Sequence, residues 1–126
     1  YAYDAAGRLS EVRAGERVPV RIICAVSARE DTRTVSAAGM LTNLSVSGAM
    51  LSAKSRLGDK GDLISVKFRL TIRDIEVLTA IDASIRSLTQ DDTGEFLHGI
   101  QFAGLPNDVA IALTAFVYHK LAETSR

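Results

Sequence analysis

The sequence predicts a mainly β fold: about six antiparallel strands curled into a barrel or strongly bent sheet, carrying one packed C-terminal α-helix. Three observations lead there. Apolar residues recur at every second position in several runs, most regularly from Ile64 to Ile72 and again from Ile75 to Ile85. After Leu105 and Pro106 the apolar spacing changes to three and four. Strands and helices do not alternate along the chain, which excludes a parallel, doubly wound sheet.

The elements follow in order. Residues 1–16 mix small, polar and charged side chains without a period and read as a flexible arm or linker, leaving 17–126 as the folded domain. From Arg17, Val18, Val20, Ile22, Cys24 and Val26 mark a half-buried strand, with Pro19 near its start where a missing N–H is tolerated. The polar stretch 27–33 is expected to be a turn. Thr34–Leu44 is a second strand, in which Ala37, Ala38 and Gly39 suggest a bulge or a close backbone approach. Ala49–Ser52 is a short third strand. Beyond the turn at 57–62, Ile64, Val66, Phe68, Leu70 and Ile72 alternate with polar residues, and a tight reversal at Arg73-Asp74 leads into a matching strand, making a long hairpin. A turn at 90–95 precedes a last strand from Phe96 to Phe102. The helix starts at Asn107, a capping residue, buries Val109, Leu113, Phe116, Val117 and Leu121, and carries His119 and Lys120 near its C-terminal end, where positive charge suits the dipole.

Composition bounds the function. With 126 residues, 47% hydrophobic and 24% charged, the chain is one globular domain able to bury about two-thirds of its unfolded surface. Its 15 Lys+Arg balance its 15 Asp+Glu, so it lacks the broad positive field by which proteins bind DNA or RNA non-specifically. A small barrel of OB type on single-stranded nucleic acid would also need exposed aromatics, whereas Phe68, Phe96, Phe102 and Phe116 are assigned to the core and Tyr1 and Tyr3 to the arm. Cys24 is the single cysteine, which fits a reducing compartment, and no apolar run reaches the ~18 residues of a membrane span. A cytoplasmic location is expected, without membrane insertion by this segment. The start at Tyr1, without an initiator Met, is expected of a piece of a longer protein, and membrane attachment of that parent chain is compatible with this reading.

Enzyme signatures are missing. No phosphate-binding Gly loop, nucleophile elbow or HExxH motif occurs, and His98 and His119 have no Cys or acid at metal-ligand spacing. His98 is expected to be a partly buried or edge residue, His119 a surface residue, and Cys24 a small core side chain. No catalytic residue, metal or cofactor is expected.

Two constellations remain: Arg13-Ala-Gly-Glu-Arg17 leading into the first strand, and Asn43-Leu-Ser45-Val-Ser-Gly48 between the second and third, with Asn43 26 residues after Arg17. In this order, with Gly99-Ile100-Gln101-Phe102 and a terminal amphipathic helix following, they resemble the PilZ domain, the bacterial receptor module for cyclic di-GMP. The resemblance covers Arg13 to about Leu121 and implies a six-stranded antiparallel β-barrel with a C-terminal helix. It implies a cyclic di-GMP site at Arg13, Arg17, Asn43, Ser45 and Gly48, with Asn43 where the family more often has Asp. The residue chemistry suits that ligand. Arg forks onto a guanine edge, binds phosphate or stacks on a purine. Asn43 can accept from guanine N–H groups, less strongly than a carboxylate would. Ser45 supplies a short hydroxyl, and Gly48 permits φ > 0 or a close approach. The resemblance further implies signalling to a linked domain or protein partner, in motility or exopolysaccharide control, by reorientation of the arm. The competing expectation is a PilZ-like adaptor that binds an acidic protein partner and no nucleotide.

Overall fold

The structure is a computed structural model and describes residues 17–30 and 33–124. Six strands, β1 (Val18–Glu30), β2 (Arg33–Leu44), β3 (Gly48–Ala53), β4 (Leu63–Ile72), β5 (Ile75–Gln90) and β6 (Phe96–Ala103), precede one helix, α1 (Asn107–Thr124). The strands close into an antiparallel barrel in the order β1-β2-β3-β6-β5-β4. Mainly β, six strands, closed barrel, C-terminal helix: the expected class holds.

Period-two patterning works where a strand has one wet face, as β4 does. Along β4, Ile64, Val66, Phe68 and Leu70 point inward and are buried while Lys67 and Arg69 are exposed; β5 answers with Ile81, Ala83 and Ile85. Leu113, Phe116 and Val117 of α1 complete the same core, which explains the helical spacing after Pro106. The hairpin closes at Ile72↔Ile75, with Arg73 at φ 58 in the left-handed region.

Three expectations need correction. The polar stretch 27–33 is mostly strand: Ser27 pairs with Ser36 and Ala28 with Val35, so the first hairpin extends to Glu30↔Arg33 and leaves only 31–32, outside the described residues, for the reversal. Small and polar side chains conceal the strand there, although Ala28 still packs against the core. The register through Ala37–Gly39 is regular, and the irregularity lies further on, between Leu41 and Asn43. In α1 the helix continues to Thr124, so His119 and Lys120 precede its last turn and lie near Glu123, at 3.0 and 3.6 Å, rather than on terminal carbonyls.

His98 is the largest departure. It is fully buried on β6, not at an edge. Its Nε2 accepts the Leu57 N–H at 3.1 Å, so the proton sits on Nδ1, which donates to the Leu51 carbonyl at 3.1 Å. The neutral ring thus ties the connection between β3 and β4 to the barrel, and burial holds its pKa below the ordinary histidine value. Cys24 is buried as expected, its thiol pushed up to about 11 by desolvation.

Candidate functional site

Both described ends of the two motifs meet at the rim where β1 begins and β2 ends. Val18↔Leu44 and Pro19↔Asn43 pair there, which brings Arg17 beside Asn43, 26 positions further along the chain. Arg17 Nη1 donates to Asn43 Oδ1 at 2.7 Å, and the Met50 N–H of β3 donates to the same oxygen at 3.0 Å. Two donors on one atom identify it as the carbonyl oxygen of the amide, and they occupy both of its lone pairs. The Nδ2 donors of Asn43 have no partner among the described residues.

A bulge presents Asn43 outward. Inward-facing Leu41 and Leu44 are three residues apart instead of two, so Thr42 and Asn43 share the outer face at a point where strict alternation would turn one of them in. A second bulge lies in β5, between Ile85 and Ser87, and leaves Arg86 and Ser87 both exposed. Between the two bulges the ladder runs Asn43↔Met50↔Gly99↔Ser87, three inter-strand steps, or roughly 14 Å at about 4.8 Å per strand. Gly99 lies flat in this face, since a Cβ there would come within 2.3 Å of Ser87 Oγ. This row beside Asn43 therefore carries Met50, a buried Gly99 with Ser87 against it, and the exposed cation Arg86. Sequence reasoning noticed Arg86 but gave it no place in the site; it is outward by simple alternation after Ile85, and the bulge turns Ser87 outward beside it.

Ser45 and Gly48 take a different position. Ser45 is completely buried, its N–H on the Gly48 carbonyl at 2.8 Å. Its hydroxyl oxygen accepts the Ser47 and Gly48 N–H groups at 3.2 and 3.0 Å and lies 3.1 Å from the Gly48 carbonyl. These bonds satisfy the backbone of the β2–β3 turn. Gly48 presses on β6: a Cβ would lie 2.2 Å from the Ile100 carbonyl oxygen. The pair shapes the turn that holds Asn43 and Met50 in place. Arg13 and the arm lie outside the described residues. Among the described residues no group of three His, Cys, Asp or Glu is placed to hold a metal, and no helix is long and apolar enough to cross a membrane.

The sequence model of the PilZ domain matches residues 11–119, most of the chain and both motifs. The chain belongs to the PilZ domain family. No curated protein sequence matches it. Among solved structures it is similar to the inhibitor of motility MotI/DgrA of Bacillus subtilis, with 13% identity and TM-score 0.76 over 87% of this chain and 51% of that one. The PilZ domain of YcgR from Escherichia coli, solved with c-di-GMP, is 16% identical, with TM-score 0.64 over 89% of this chain and 93% of that domain. PlzA of Borreliella burgdorferi, in complex with c-di-GMP, is 14% identical, with TM-score 0.56 over 99% of this chain and 59% of that one. At such identities these likenesses establish the PilZ fold. The chain spans only about half the length of MotI/DgrA.

Proposed function

We propose that this PilZ domain is a non-enzymatic receptor that binds cyclic di-GMP on the barrel rim and passes the signal to a linked domain or partner by reorienting its arm, in motility or exopolysaccharide control of a bacterial cytoplasm. The observation that carries the reading is the Arg17–Asn43 contact, which joins the described parts of the family's two motifs at one rim of the barrel. Arg17 is exposed and uses one of its five N–H donors on Asn43, leaving the rest for a guanine edge or a phosphate. Arg13, four residues before it, supplies the second guanidinium from the arm. Asn43 contributes by holding the Arg17 guanidinium at the rim through Oδ1, which Arg17 and the Met50 N–H together fill. Ser45 and Gly48 contribute by fixing the turn.

One feature favours the adaptor reading instead. Asn43 is a neutral amide whose acceptor is spent on the protein itself, which removes the strong acceptor for guanine N1–H and N2–H that an Asp would provide. Isothermal titration calorimetry with cyclic di-GMP separates the two, with cyclic di-AMP and GTP as controls. A receptor gives saturable heat that Arg13→Ala and Arg17→Ala abolish. A folded sample that gives no heat rejects the receptor reading and leaves the adaptor.

A further inference from the structure

The barrel wall is incomplete at one seam. Pairing between β1 and β4 runs from Ala28↔Ile64 to Cys24↔Phe68 and stops there. Beyond it, residues 18–23 of β1 and 69–72 of β4 face one another without a ladder, and the gap between them is a groove of about 630 Å³. Phe68 and Phe116, both buried, line its depth. Two large apolar side chains stand at its mouth, Ile23 at 73% and Leu78 at 74% exposure. Unpaired strand edges beside exposed apolar side chains are what an added strand uses, main-chain bonds supplying affinity and alternate side chains supplying selectivity.

The charge of this groove is one-sided. Arg21, Lys67, Arg69 and Lys120 line it, and no acid does among the described residues. Arg69 and Lys120 have distant or solvated partners in Glu76 at 3.8 Å and Glu123 at 3.6 Å, both exposed, whereas Arg21 and Lys67 form no ion pair among the described residues. In a chain of zero net charge this is a local excess, set where a complementary segment would meet it. A concave slot between two strand edges selects a single extended chain over a flat lipid surface.

We infer that the β1–β4 seam is a docking groove for an extended, acidic segment of a partner protein, whose backbone pairs with the open strand edges while its apolar residues cover Ile23 and Leu78. The groove is separate from the nucleotide rim, although Pro19 belongs to both surfaces through its pairing with Asn43.

The test uses fluorescence anisotropy of the whole chain with a short labelled peptide in which Glu and Val alternate, and with a Lys–Val peptide and phosphatidylglycerol vesicles as comparisons. Saturable binding of the Glu–Val peptide alone is expected, weakened roughly tenfold or more by Arg21→Glu with Lys67→Glu and more weakly by Leu78→Ser. All three positions are exposed, and a melting curve for each variant verifies folding. Arg17→Ala, which removes the nucleotide contact, leaves peptide binding unchanged. Amide shifts on adding peptide are expected in 18–23 and 69–72. No saturable binding, equal binding of the Lys–Val peptide, binding to vesicles in place of peptide, indifference to the charge reversals, or shifts confined to other strands each overturn the inference.

Discussion

Arg17 Nη1 lies 2.7 Å from Asn43 Oδ1, and the Met50 N–H lies 3.0 Å from the same atom, so the amide turns its donor side away from the protein. An Asp at position 43 would keep both of these bonds on one oxygen and present the second as a charged acceptor. Asn43→Asp is therefore expected to tighten cyclic di-GMP binding by roughly tenfold, the value of about one charge-assisted hydrogen bond. Calorimetry of the two forms side by side decides it. A weaker Asp variant would instead show that Nδ2 donates to the ligand.

Ser45→Ala removes the acceptor of the buried Gly48 N–H and the half-buried Ser47 N–H, and is expected to cost about 1–3 kcal/mol in urea unfolding. Gly48→Ala sets a methyl against the Ile100 carbonyl and costs at least as much, because backbone rather than a flexible side chain must move. Both losses should appear without ligand. Stability unchanged in Ser45→Ala would mean that the hydroxyl does not hold the turn.

Legibility of the sequence depended on whether a feature is periodic. β4 and β5 were readable because Ile64 to Leu70 and Ile81 to Ile85 alternate against water on a wall one residue thick. The outer half of β1 was not, since Ser27 is polar and Ala28, although packed against the core, is too small to stand out as an apolar alternation. The motif residues could be named from their spacing, but their roles could not. Whether Asn43 faces outward depends on one extra residue in β2, and Ser45 reads the same in a sequence whether it faces a ligand or its own turn. His98 shows the complementary difficulty: a buried polar side chain becomes intelligible only with its partners, Leu51 and Leu57, which lie 47 and 41 residues away.

Cys24 should be chemically silent in the folded chain. Its thiol is buried between β1 neighbours and pushed up to about 11, so almost no thiolate is present near neutral pH. Mixing with a thiol-reactive disulfide reagent is expected to give no fast release of the chromophore at pH ~8, and full release once urea unfolds the barrel. Rapid labelling of the native protein would contradict the burial.

At the β4–β5 reversal, Arg73 holds φ 58 with a bulky side chain, a conformation that Asn and Gly tolerate better. Arg73→Asn is expected to raise stability by roughly 0.5–1 kcal/mol. Arg73 is exposed and lines neither the rim nor the seam, so nucleotide and peptide binding should not change. A lower urea midpoint would show that the guanidinium makes a compensating contact.

Acid should loosen the barrel through His98. Burial lowers its folded-state pKa, while the unfolded chain binds a proton with the ordinary value of about 6.5. Stability from this group is thus complete above that value and declines as pH falls through it toward the lowered folded pKa, since the unfolded state takes up the proton first. Protonation in place would also set Nε2–H against the Leu57 N–H, releasing the β3–β4 connection before the strands separate. Urea midpoints followed from about pH 8 to about pH 5 should fall more steeply for the wild-type chain than for His98→Gln, in which no group titrates at that position. His119, half-buried beside Glu123, is present in both proteins and cancels in the comparison. Parallel curves would mean that His98 holds its proton equally well in the folded and unfolded chains, and would remove the neutral ring as the tie between Leu51 and Leu57.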